Sequence, residues 1–160
     1  MSIDTTPMGS YIKAEAFRRS GMLLVEHLRG GGFDSDAMRY NYFHSIELYL
    51  KAALVCDGFN DDQLKTKFRH GFRRLVEGAN RSGFGLVEWS DLATIDMIDH
   101  DGNYLRTRYH RKGVFTASSL QDINSTAAEC AVLSCKKLIA HGLSVRAPAP
   151  ALIWQPGFPT

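Results

Sequence analysis

Fourteen residues, "NYFHSIELYLKAAL" at 41–54, constrain this chain more than any other stretch. Wound as a helix, Tyr42, Ile46, Tyr49 and Ala53 form one apolar face, and Phe43, Leu50 and Leu54 form the next. A helix that is apolar on two faces must be covered from more than one side, which predicts the central helix of a bundle. Yet His44, Glu47 and Lys51 fall on the same helix within an arc of about 60°, with Tyr40 in line. Glu47 and Lys51 stand in the favourable i,i+4 order for an ion pair. One reading of the stripe is a narrow solvent-facing strip, its pair worth ~0.3–0.5 kcal/mol. The other is a functional constellation.

The rest of the pattern is helical, with no run of alternating strand residues. Tyr11, Ala14, Phe17, Gly21, Leu24 and Leu28 make one stripe, which predicts a helix over 10–29, and "RGGG" at 29–32 ends it. Asp34 or Ser35 can cap the second helix, which runs to Cys56 before "DGFN" closes it. Leu64 and Phe68 belong either to a short helix or to a long loop. "HGFRRLVEGAN" turns Phe72, Leu75, Val76 and Ala79 inward and Arg73, Arg74 and Glu77 outward. "RSGFG" at 81–85 is a loop. "EWSDLATIDMIDH" is a fourth helix, capped by Ser90, with Leu92, Ile95 and Ile98 buried. After a long irregular connection, the last helix spans 119–141, with Ile123, Ala127, Cys130, Ala131, Ser134 and Leu138 inward. The tail "APAPALIWQPGFPT" holds four of the five prolines and cannot be helical. It is an extended arm or disordered, with Leu152, Ile153, Trp154 and Phe158 as anchors. The expected fold is all-α: an antiparallel four-to-five-helix bundle over residues 1–145, followed by a Pro-rich tail over 146–160.

A chain of 160 residues suits one core. No apolar run approaches the ~20 residues that span a bilayer, and no signal-peptide pattern opens the chain. Cys56, Cys130 and Cys135 lack C-x-x-C spacing, so free thiols in a reducing cytoplasm are expected, with no disulfide framework. His44, Glu47, His70, His100 and His110 show neither H-x-x-x-H nor H-E-x-x-H spacing, so no metal site is expected, and no cofactor is implied. Cys56 reads as a small buried hydrophobe. Net charge is +2 but segregated. Lys65, Lys67, Arg69, Arg73, Arg74 and Arg81 share their segment with one acid, Glu77, and Arg106, Arg108, Arg111 and Lys112 form a second basic group. Between them lie Glu88, Asp91, Asp96, Asp99 and Asp101. Either a local positive surface results, or the blocks pair within the fold. In the second basic group Tyr109 and His110 can stack on bases while Arg106 and Arg108 hold phosphates. The other reading is a solvated loop. His70, at a helix start, is either structural or part of a site.

"FHSIELYLKAALVCDGF" followed by "HGFRRLVEGA" resembles the HEPN domain, a helical domain of prokaryotes and higher eukaryotes linked to nucleotide and RNA biology. The match is an aromatic-His-x-x-Glu-Leu-x-x-Lys-Ala helix, then His70 opening the next helix, then "YLRTRYHRKG" after the fourth helix, and it covers residues 10–141. The resemblance implies a bundle of four or five helices, frequent homodimerisation and contact with nucleotide or RNA. It also implies that Glu47 and Lys51 face the motif after the fourth helix inside a cleft. The implied binding set is His44, Glu47, Lys51, His70, Arg106, Arg108, Tyr109 and His110. HEPN ribonucleases pair an Arg with a later His: the His is general acid or base, and the Arg stabilises the charged phosphorane. Their spacer is longer than the three residues between Arg106 and His110 or the one between Arg108 and His110. Lys136 and His141 are separated by four, but Lys lacks the guanidinium fork. The cleavage motif is thus absent or degenerate, which leaves Arg106, Arg108 and His110 as weak catalytic candidates. The expectation is a cytoplasmic, membrane-free homodimer that binds nucleotide or RNA, in a toxin–antitoxin or defence setting with a nucleotidyltransferase as partner protein. The alternatives are a non-catalytic dimerisation or protein-interaction module, and a metal-independent ribonuclease of divergent motif.

Overall fold

A computed structural model describes residues 5–28, 35–100, 104, 107 and 117–160. Within them the chain is all-helical, with no strand. The elements are α1 (Pro7–His27), α2 (Asp36–Cys56), the single turn α3 (Asp61–Gln63), a π-helical turn (Leu64–Phe68), α4 (Phe72–Asn80), α5 (Trp89–Asp99) and α6 (Leu120–Ala140). No helix among the described residues is long and apolar enough to cross a membrane.

The two apolar faces of α2 explain the architecture. This helix packs against α1, α4 and α6, while α5 closes on α4 and α6. Tyr42, Ile46, Tyr49, Leu50 and Leu54 of α2 are buried in one core with Phe72 and Leu75 of α4, Ile95 and Ile98 of α5, and Ile123, Ala127 and Leu138 of α6. Each Leu, Ile or Phe among them is worth about 1.5–3 kcal/mol of burial. The inward faces expected for α4 and α6 are the buried ones.

Other expectations need correction. On α1, Phe17, Leu24 and Leu28 are only half-buried, whereas Arg18 and Val25 are fully buried. The helix rotates so that Arg18 meets partners inside. It starts earlier than expected, at Pro7, because the Thr6 side chain accepts the Gly9 N–H at 3.0 Å. Ser90 lies inside α5 rather than capping it, and Glu88 is the N-cap residue, without a side-chain bond. Ser35 likewise makes no cap bond; its hydroxyl accepts from Arg39 Nε at 3.1 Å. Asp34 lies outside the described residues. Leu92 and Cys56 are half-buried.

The start of α4 has a partner from elsewhere. Its N-cap, Gly71, has no side chain to offer, and Asp99 at the end of α5 accepts the N–H groups of Phe72 at 2.9 Å and Arg73 at 2.7 Å. A carboxylate there meets both the orphan amides and the positive end of the helix dipole. This docks the His70 segment onto the body of the molecule.

Residues 143–160 contain no helix and run along α1 and α6. Tyr11 donates to the Arg146 carbonyl at 2.9 Å, and Asn124 Nδ2 donates to the Leu152 carbonyl at 3.0 Å. Phe158 is buried, with Trp154 edge-on at 5.4 Å, whereas Ile153 is exposed and anchors nothing.

Candidate functional site

The polar stripe on α2 is not a solvent-facing strip. Glu47 is 1% exposed. Lys51 Nζ, one turn along, donates to its Oε1 at 2.5 Å, and His70 Nδ1 reaches the same oxygen at 3.0 Å. With an ionised carboxylate as acceptor, His70 Nδ1 must carry the proton. His44 Nδ1 is 3.6 Å from Oε2, beyond hydrogen-bond reach, and instead shares a hydrogen bond of 3.0 Å with the Tyr104 hydroxyl. Glu47 Oε2 is therefore buried without a hydrogen-bond partner among the described residues. Burial pushes the Glu47 carboxyl up, but the facing His44, Lys51 and His70 outweigh it and hold the pKa at about 2. The carboxylate is a fixed anion. Its partners remain reachable: Lys51, His44 and His70 side chains are 21%, 24% and 55% exposed.

A strained turn delivers His70. The capping box between Asn60 and Gln63 starts α3, which widens into the π turn. The Gly71 N–H then bonds the Phe68 carbonyl at 3.0 Å, closing a turn over 68–71. Arg69, with φ 50° and ψ −120°, has the dihedrals of the first central position of a type II′ turn, where glycine is the usual residue. A side chain there costs about 1–3 kcal/mol. The chain thereby reverses, and His70 reaches back to Glu47.

Aromatic rings pack around the stripe. Tyr104 is buried, stacked on Tyr40 at 6.1 Å and edge-on to Phe72 at 5.4 Å. His44 sits between Tyr40, stacked at 5.7 Å, and Phe17, edge-on at 4.4 Å. The segment after α5 thus meets the stripe at Tyr104. Four of the sequence-derived site residues, His44, Glu47, Lys51 and His70, come together. The other four, Arg106, Arg108, Tyr109 and His110, lie outside the described residues, as do Arg111 and Lys112.

Sequence reasoning passed over Tyr104, the turn position of Arg69 and a second ionic cluster. The aromatic at the head of "YLRTRYHRKG" was a signal for Tyr104. Nothing local marks Arg69 as a turn residue. In the second cluster Arg18, with no exposed surface, donates through Nε and Nη2 to Glu15 Oε1 at 3.0 and 2.9 Å, and through Nη2 to the Ala149 carbonyl at 2.5 Å. Tyr49 donates to the same Glu15 oxygen, and the Ala149 N–H donates to the other at 3.1 Å. That cluster faces inward and holds the tail.

The acidic and basic blocks pair only in part. Arg73 bridges Asp96 at 2.9 Å, but Lys65, Lys67, Arg69, Arg74 and Arg81 are exposed and form no ion pair among the described residues. A concavity of about 610 Å³ lies over α5 beside Arg73, lined by Trp89, which is 83% exposed, together with Leu92, Ala93 and Met97. Chemically, the Glu47–His70 pair leaves Nε2 of a half-exposed imidazole available to take up a proton and, once it carries one, to donate to a phosphate oxygen, with Lys51 beside it. Compared with protein-family models, curated proteins and solved structures, the chain finds no match in any of the three.

Proposed function

We propose that this chain is a HEPN-like helical protein that binds a nucleotide or RNA and does not cut it. One observation carries the reading. A buried anion, Glu47, gathers three reachable nitrogen donors, His44, Lys51 and His70, beneath Tyr104. Tyr104 in turn opens the segment that continues into Arg106, Arg108, Tyr109 and His110. Donors of that kind suit phosphate oxygens, and aromatic rings suit bases. A homodimer, a cytoplasmic setting and a nucleotidyltransferase partner in a toxin–antitoxin pair belong to the same reading.

The test is incubation with labelled single-stranded RNA and with ATP, each with and without EDTA. Binding is expected to weaken steeply as salt rises. Arg106→Ala and Arg108→Ala should each cost ~1.5–3 kcal/mol of binding, as for a hydrogen bond to a charged group. The RNA should stay intact. Cleavage in EDTA that His70→Ala or His110→Ala abolishes would overturn the non-cutting half. Absence of binding at low salt would favour the second reading, a protein-interaction module, for which the exposed Trp89 beside the α5 concavity speaks.

A further inference from the structure

We infer that the groove between the π turn and α4 is a phosphate-holding subsite, apart from the Glu47 cluster. The inference rests on the nucleotide or RNA reading above and adds where a second phosphate is held. The groove encloses about 270 Å³. Its walls carry Lys67, Arg74 and Arg81 against one carboxylate, Glu77, and its floor is Phe59 and Phe68. Lys67 Nζ rests 5.5 Å from the centre of the Phe59 ring, and none of the three cations has an ion pair among the described residues. Three like charges held together repel one another, and a polyanion is the partner that relieves this.

A second observation is independent of the groove. Arg69 directly follows Phe68 and occupies a backbone conformation where glycine would be unstrained. Its side chain is exposed and unpaired among the described residues. Residues held in such strained conformations cluster at ligand clamps and active sites. The turn at 68–71 carries Phe68 into the groove on one side and His70 onto Glu47 on the other. One ligand can therefore place successive phosphates against the groove and against the Lys51–His70 donors. The chemistry is that of phosphate esters, in an RNA strand or in a free nucleoside triphosphate.

The experiment measures binding of short single-stranded RNA, ATP and inorganic tripolyphosphate across a salt series. It uses the wild type, the triple variant Lys67→Gln/Arg74→Gln/Arg81→Gln, and Arg69→Gly. The triple variant should bind at least tenfold more weakly at low salt, and the slope of log affinity against log salt should fall by about 0.7 for each phosphate that the variant no longer holds. Because the three side chains are on the surface and repel one another, its melting temperature should not fall. Arg69→Gly should melt higher yet bind more weakly, a combination that a purely structural arginine would not give. Weakening confined to RNA assigns the strand as ligand, and weakening confined to ATP assigns the free nucleotide. RNA or ATP binding that the triple variant keeps in full, with the same salt slope, overturns the subsite and leaves the broader reading standing. Tripolyphosphate bound by the wild type and released by the triple variant, with neither RNA nor ATP bound, keeps the subsite and overturns the nucleic-acid reading. No binding of any probe overturns both.

Discussion

A carboxylate taken out of water loses several kcal/mol of hydration unless charged partners replace it. At Glu47 the replacement comes from Lys51 and His70 on one oxygen, with His44 near the other. Glu47→Ala would leave Lys51 without its anion and the buried carboxylate site empty, at a cost on the order of 3–5 kcal/mol, where a surface pair would cost less than about 1 kcal/mol. Denaturant unfolding of the variant separates the two cases. The acid side adds a second check. The folded carboxyl sits at about 2 against an ordinary 4.5, so the stability it contributes is complete above pH 4.5 and disappears as pH falls through 2. The gap between wild type and Glu47→Ala should narrow over that window by on the order of 3 kcal/mol. A gap that holds constant from pH 5 to pH 2 would refute it. Spacing alone put His44, Glu47 and Lys51 on one stripe. It could not say whether a neighbour covers that stripe, because periodicity describes one helix at a time. Arg18 fails in the opposite direction: it sits at 11, 14, 18, 21, 25 spacing with buried residues, but an arginine is not counted as core.

At the scale of elements, the interior faces of α4 and α6 and the start of α6 at Ser119 were legible, whereas the buried face of α1 and the capping of α4 were not. Phe72, Leu75, Val76 and Ala79 repeat at helical spacing, and they are buried. The cap of the same helix is Asp99, on another helix, and no local pattern points to it. The π turn is invisible to a 3.6-residue period for the same reason that it is useful: it shifts Phe68 out of the α register. Phe68 then lies so close to α4 that a Cβ on Gly78 would stand 2.6 Å from its ring. The turn that follows makes a stability prediction. Arg69→Gly removes strain of about 1–3 kcal/mol and adds unfolded-chain freedom of roughly 0.4–1 kcal/mol, so a net gain of about 1 kcal/mol is expected in urea unfolding. A fall in stability would mean that the Arg69 side chain makes a packing contribution larger than its backbone cost.

For the whole molecule, four prolines predicted a segment without helix but could not show what its backbone binds. Ala149 stands between Pro148 and Pro150, which have no N–H, so its amide is the single donor of that triplet, and it goes to Glu15. Its carbonyl goes to Arg18. Ending the chain at Arg146 removes both bonds, the Leu152 acceptor of Asn124 and the buried Phe158. At about 1.5–3 kcal/mol for each bond to a charged group, the loss should exceed about 3 kcal/mol in urea unfolding. A loss below about 1 kcal/mol would mean that water replaces the tail without penalty. The two Ala149 bonds join positions 131 and 134 residues apart. Pairings at such separation are the slow ones to form, because the intervening chain must first be gathered in. On a translating ribosome Glu15 and Arg18 emerge near the beginning and Ala149 near the end of these residues. Until Ala149 arrives, the first two helices must therefore keep a hydrated guanidinium where the folded protein is dry.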